Sequence, residues 1–170
     1  IDESPEFSFL LNNKRLNGNS AWEVVSVEAV IDSLQGKGAK VTLKNLDVFP
    51  GFQLEINYLL YPDLPVVRKQ LTFNNKTENL LALESVESEV IDVAFDITNS
   101  WVLTNFARQR HFGPYRGNWN DPALVVHDVN QRRGLLLGNE APGVMKRSSA
   151  FSDGKTLSAG LTHKDEDFAF

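Results

Sequence analysis

"GFQLEINYLLYPDLPVVRKQLTFNN", Gly51 to Asn75, alternates apolar and polar residues on both sides of a proline-bracketed bend. Phe52, Leu54, Ile56 and Tyr58 fall on one side of an extended chain, and Gln53, Glu55 and Asn57 on the other. A period of two is that of a half-buried antiparallel strand. Pro62 and Pro65 then fix φ and remove backbone donors, so the chain cannot pair there. The residue before each proline is pushed towards extended geometry. The reading is a corner between a strand over Gly51–Tyr61 and a second over Val66–Asn74. In the second, Val67, Lys69, Leu71 and Phe73 alternate with Val66, Arg68, Gln70 and Thr72. Arg68 and Lys69 suit a sheet edge, where charge discourages pairing with another chain.

The same period extends outwards. Phe7, Phe9 and Leu11 share a face of "EFSFLLNN". In "AWEVVSVEAVI", Trp22 and Val24 share one face with Ser26, while Val25, Val27 and Ala29 take the other. Val41 and Leu43 alternate with Thr42 and Lys44. Between these runs lie "NNKRLNGNS", "LQGKG", "FPG", "NNKTEN" and "FSDGKT", rich in the Gly, Asn, Asp and Pro that tight turns require. "GKGAK", Gly36–Lys40, is read as a hairpin turn, being too short and wrongly placed for a phosphate loop. "LLALESVESEVIDVAF" sets Leu80, Leu83, Val86 and Val90 at helical spacing. Its β-branched Val86, Val90, Ile91 and Val93, and the turn before it, favour a strand. The expected fold is all-β, an antiparallel two-sheet β-sandwich with little helix, forming a single domain over residues 1–170.

Composition narrows the function. A chain of 170 residues suits one domain with a full core. A net charge of −5 argues against a nucleic-acid partner, which needs a basic face. No apolar run approaches the roughly 18–20 residues of a membrane span, so no membrane partner is expected. Without cysteine there is no disulfide, thiolate nucleophile or cysteine-ligated metal, and the compartment stays open. The final "DEDFAF" ends apolar with no polar tail, which reads as a piece of a longer chain.

The run "LEINYLLYPDLPVVRKQLTFNNKTENLLALESVESEVIDV", Leu54 to Val93, resembles the amino-terminal β-sandwich of family 36 glycoside hydrolases, the α-galactosidase (melibiase) group. The likeness lies in the corner at Tyr61, Pro62 and Pro65, the strand start Val66 to Lys69, and the polar turn and Leu/Glu/Ser-rich strand that follow. "LLLGNEAPGV", Leu135 to Val144, is similar to a return strand of the same domain. The resemblance implies a supersandwich lying ahead of a carboxy-terminal (β/α)8 barrel, which in that family holds two catalytic aspartates. This chain is too short to include a barrel of roughly 200 residues or more. The implied role is a non-catalytic domain that packs on the barrel of the same chain, shapes the pocket rim and supports a homo-oligomer. It implies no cofactor, and no catalytic residue in this chain. Two rivals stand beside it: a free-standing carbohydrate-binding or lectin-like sandwich, and a mutarotase-like sandwich enzyme.

The remaining candidate chemistry is sparse. Retaining glycosidases need two carboxylates about 5 Å apart. The clusters Glu84, Glu87, Glu89 and Asp165, Glu166, Asp167 do not sit among pocket-forming residues, and they read as a solvated strand face and a solvated loop. His111, His127 and His163 lack a metal-ligand spacing. No G-x-S-x-G elbow is present. "TNFARQRHFGPYRGNWNDP", Thr104 to Pro122, breaks the alternation and reads as a long loop. It combines Phe106, Phe112, Tyr115 and Trp119 with arginine, asparagine and aspartate. Flat apolar faces beside directional hydrogen-bonding groups are what a carbohydrate or an interface requires. The candidates are Arg110, His111, Tyr115, Arg116, Asn118, Trp119 and Asp121, with Trp119 at the tip of a turn. The competing reading folds the same aromatics inwards onto the sandwich.

Overall fold

A computed structural model of the chain describes residues 4–97, 101–104, 111–113, 118–119, 123–140, 147–150, 155–161 and 168–169. The strands are β1 (Glu6–Leu11), β2 (Lys14–Asn17), β3 (Trp22–Ile31), β4 (Lys37–Asn45), β5 (Phe52–Leu60), β6 (Val67–Asn75), β7 (Ala82–Asp92) and β8 (Trp101–Thr104). They continue as β9 (His111–Gly113), β10 (Asn118–Trp119), β11 (Ala123–Asp128), β12 (Arg133–Gly138), β13 (Arg147–Ala150), β14 (Thr156–Leu161) and β15 (Phe168–Ala169). The fold is all-β, an antiparallel β-sandwich, with no α-helix among the described residues. β7 settles the "LLALESVESEVIDVAF" segment as strand, as its β-branched content requires.

The chain divides into two compact units, Ile1–Gly18 with Leu83–Phe168, and Asn19–Ala82 with Ala169–Phe170. The first holds a seven-stranded sheet in the order β10-β13-β14-β7-β1-β2, with β15 on β7, and a four-stranded sheet β12-β11-β8-β9. Their inner faces meet in one cluster. Leu157 of β14 packs with Leu124 and Val126 of β11 and with Ile97, all fully buried, while Ile91, Val93, Phe95, Leu135 and Leu137 close around them. Period two is obeyed on β11 and β12: Leu124 and Val126 pair with Leu137 and Leu135 on the inner side, and Leu136 is exposed on the outer. Elsewhere on the large sheet Phe7, Phe9, Leu11 and Leu16 are buried, with the Phe7 and Phe9 rings stacked at 5.9 Å.

β7 is irregular on both sides. Its register against β1 shifts between Phe9 and Leu10, and Ser85 there takes φ 38°, a left-handed value uncommon outside glycine. Against β14 it shifts between Ala159 and Gly160. These are bulges, each inserting one unpaired residue so that the next side chains keep their intended face.

The second unit holds the sheet β3-β4-β5-β6. Phe52, Leu54 and Ile56 are buried along β5, and Phe52 lies 6.3 Å from Trp22 and 6.4 Å from Phe73 between ring centres. The proline corner falls as expected: β5 ends at Leu60, β6 starts at Val67, and Leu64 N–H donates to the Tyr61 carbonyl across the bend. β6 is an edge of this sheet.

Three local expectations change here. Most of "GKGAK" is strand, because the turn sits earlier: the Asp32 carboxylate accepts from the backbone N–H of Leu34 and Gly36, closing the bend before Lys37. A bulge between Val24 and Ser26 returns Val27 and Ala29 to the side of Trp22 and Val24, and sends Ser26 to the other with Glu23 and Glu28. On β4 the buried side chains are Thr42 and Asn45, while Val41 and Leu43 are only half-buried.

Candidate functional site

Four of the seven candidate residues, Arg110, Tyr115, Arg116 and Asp121, lie outside the described residues. The other three are on short strands, so the segment 104–122 is not one continuous loop. His111 begins β9, which pairs with β8 at the end of the four-stranded sheet, opposite Thr104. Asn118 and Trp119 form β10, which pairs with Ser149 and Ser148 of β13 at the end of the seven-stranded sheet. The backbone therefore sets His111 and Trp119 on the end strands of different sheets. Trp119 is not at a turn tip. Pairing with Ser148, distant in sequence, overrides the turn chemistry of its neighbours. Of the other histidines, His127 is exposed on β11, and His163 lies outside the described residues.

A polar group that sequence reasoning assigned to solvent is buried. The registers bring Glu87, Ser8 and Gly160 side by side, on the face opposite Phe9 and Val86. Ser8, Glu87 and Ser158 are all buried, so the Glu87 carboxylate is not part of a solvated face. Ser158 Oγ donates to it at 3.4 Å, and Arg15 Nη1 donates to Ser8 Oγ at 2.7 Å. A buried carboxylate persists only with hydrogen-bond donors about it. The signal available in sequence was the serine content of β1 and β14, but the bulges that align these serines with Glu87 leave no local mark. Glu84 and Glu89 are half-buried, and Asp165, Glu166 and Asp167 lie outside the described residues.

A second cluster fastens the corner of the smaller unit. Tyr61 Oη donates to Asp32 Oδ2 at 2.7 Å, and Arg68 Nη1 lies 4.0 Å from the same oxygen. The Tyr61 hydroxyl, then the Gly36 and Leu34 amides and the Arg68 charge, hold Asp32 below the usual carboxylate range. Reciprocally, the Asp32 carboxylate raises the Tyr61 phenol. On the same sheet Lys40 and Ser26 hydrogen-bond to Glu28 and lower its carboxyl, and Glu28 raises Lys40. These are structural ties between half-buried and exposed side chains. No group of three His, Cys, Asp or Glu that could hold a metal ion occurs among the described residues. No helix among them is long and apolar enough to cross a membrane.

No protein-family model and no curated protein matches the sequence. Among solved structures, the chain is similar in fold to the α-galactosidase from Lactobacillus brevis, with a TM-score of 0.60 at 13% identity. The match covers 98% of this chain and 27% of that one, so this chain spans just over a quarter of that enzyme's length. At such identity the likeness establishes a shared β-sandwich fold.

Proposed function

We propose that this chain is the amino-terminal β-sandwich domain of an α-galactosidase-like glycoside hydrolase, without catalytic residues of its own. The observation that carries the reading is the asymmetry of the structural match: nearly all of this chain is used, against 27% of the α-galactosidase. In this reading the domain packs on a (β/α)8 catalytic barrel of the same polypeptide and helps to shape the pocket rim. Arg110, His111, Tyr115, Arg116, Asn118, Trp119 and Asp121 then belong to the surface turned to the barrel or to carbohydrate. The short β9 and β10 strands support that assignment, since both sit at the ends of sheets, where a partner can reach them. The Glu87 carboxylate is engaged by Ser158, which suits a structural acid better than a glycosidic one.

The test is the coding sequence beyond Phe170 together with a complementation assay. We expect a further β/α-alternating region of roughly 200 residues or more. Expressed separately, that region should bind this chain and gain α-galactoside turnover from it. A stop codon at Phe170, with galactose binding by the isolated chain, would instead make it a free-standing carbohydrate module and overturn the proposal.

A further inference from the structure

Asn17 and Gly18 form the one Asn-Gly pair in the chain, and every other asparagine is followed by a residue with a side chain. Such a pair favours attack of the glycine nitrogen on the asparagine side chain, because no Cβ obstructs the approach and the glycine backbone turns freely. Packing explains why glycine stands there. Asn17 ends β2, and the Gly18 N–H donates to the Pro5 carbonyl at 2.8 Å. A Cβ at Gly18 would meet that oxygen at 2.5 Å and the Glu6 Cβ at 3.1 Å, so a side chain would push the two segments apart. The reactive pair is thus imposed by the fit of the amino-terminal segment against the end of β2.

The same fit restrains the pair. Attack needs the Gly18 nitrogen to shed its proton, and the Pro5 carbonyl holds that proton in place. Asn17 is paired opposite Ser8, and closing a five-membered ring over it requires it to leave the extended conformation of a strand. The lock is itself strained. The Pro5 carbonyl also accepts from the Phe7 N–H at 2.7 Å, in a three-residue turn centred on Glu6 at φ 69°, a left-handed value costly outside glycine. Ser4 fastens the segment from the other side: its Oγ donates to the Val90 carbonyl at 2.9 Å and accepts from the Asp92 N–H at 3.4 Å. β2 ends its sheet, and end segments open locally more readily than core strands.

We propose that Asn17 is a modification site gated by this lock: opening of the amino-terminal segment lets it convert, with water, to aspartate and isoaspartate. The Gly18 nitrogen loses its proton to solvent base and bonds to Asn17 Cγ, while Nδ2 leaves as ammonia, taking up a proton. Water then opens the five-membered imide. Breaking the nitrogen bond to Cγ gives aspartate, and breaking the bond to the main-chain carbonyl carbon gives isoaspartate. Isoaspartate runs the chain through Cβ, one carbon longer, and cannot keep residue 17 in register opposite Ser8. The site is independent of the enzymatic reading. The test is incubation of the 170-residue chain in mildly alkaline buffer, folded and in urea, with the peptide containing Asn17 read by mass spectrometry. In urea that peptide gains the amide-to-acid mass and divides into two isobaric forms, one of them a substrate for an isoaspartyl methyltransferase. In the folded chain conversion is slower by about tenfold or more, since it waits on local opening. Ser4→Ala, with an unchanged circular dichroism spectrum, converts faster than wild type when folded and at the wild-type rate in urea. Gly18→Ala in urea converts about tenfold slower, because its methyl group obstructs ring closure. No conversion at Asn17 in urea, a folded rate equal to the unfolded one, a folded Ser4→Ala chain no faster than wild type, or an undiminished rate for Gly18→Ala would each overturn the proposal.

Discussion

Asp32 joins three parts of the smaller unit: its own turn through Leu34 and Gly36, the corner through Tyr61, and β6 through Arg68. Its depressed carboxyl gives the pH dependence a sign. A group whose folded pKa lies below its unfolded value contributes stability above the unfolded value of 3.8 and loses it as pH falls through the folded one. Tyr61 works from the other end. Its raised phenol contributes below 10.0 and loses that contribution as pH rises through the folded value. We expect Tyr61→Phe and Asp32→Asn to lower the urea midpoint at neutral pH, and the difference from wild type to shrink in acid and in strong base. A difference that stays constant from acid to base would show that the pair does not titrate as described. None of this was legible in sequence, because Tyr61 lies 29 residues from Asp32 and only the hairpin stack brings them together. Gly38 is another residue whose role is fixed by packing. A Cβ built there would meet the Tyr58 carbonyl oxygen at 1.7 Å. Gly38→Ala is expected to destabilise by about 1–3 kcal/mol through overpacking, read as a lower urea midpoint.

At the scale of elements, the period of two located β1, β3, β4, β5 and β6 and the turn residues located most of their ends, whereas β2 falls within "NNKRLNGNS", which reads as a turn by composition. The period assigned faces correctly where strands are regular. Phe52, Leu54 and Ile56 are buried together. It failed wherever a bulge intervenes, since one inserted residue exchanges the faces beyond it. That is why Val27 and Ala29 join Trp22, and why Glu87 is buried with serines. The short β9 and β10 strands were missed for a related reason. Their partners are brought close only by the tertiary fold, so local composition showed a loop. The face assignment of β11–β14 can be checked directly. Leu157 is wholly buried between the sheets, whereas Leu136 is exposed on the outer face. Leu157→Ala should cost about 2–5 kcal/mol, the range for a core leucine. Leu136→Ala should change stability by less than about 0.5 kcal/mol. Equal losses in a urea melt would mean that the two faces are not distinguished as described.

For the molecule as a whole, the last prediction is the catalytic silence of the isolated chain, argued from the acids among the described residues. Cleavage of a glycoside with retention needs one carboxylic acid and one carboxylate about 5 Å apart, flanking the scissile bond. Of the Glu84, Glu87 and Glu89 group, only Glu87 is buried, and its Oε1 accepts from Ser158. Asp92, at the end of the same strand, is held by Thr156 at 2.8 Å and Lys155 at 3.0 Å, and so is already neutralised by its own ion pair. Asp32 is committed to Tyr61 and the turn amides. These three acids are thus tied to neighbouring strands and turns. The isolated 170-residue chain is therefore expected to release no nitrophenol from a nitrophenyl α-galactoside above the uncatalysed rate. Glu87→Gln should leave that blank unchanged, while lowering stability because the hydrogen bond from Ser158 loses its charged acceptor. Turnover by the pure chain that is abolished by one carboxylate substitution would place a reaction centre within the sandwich itself, and the scaffold reading would fall with it.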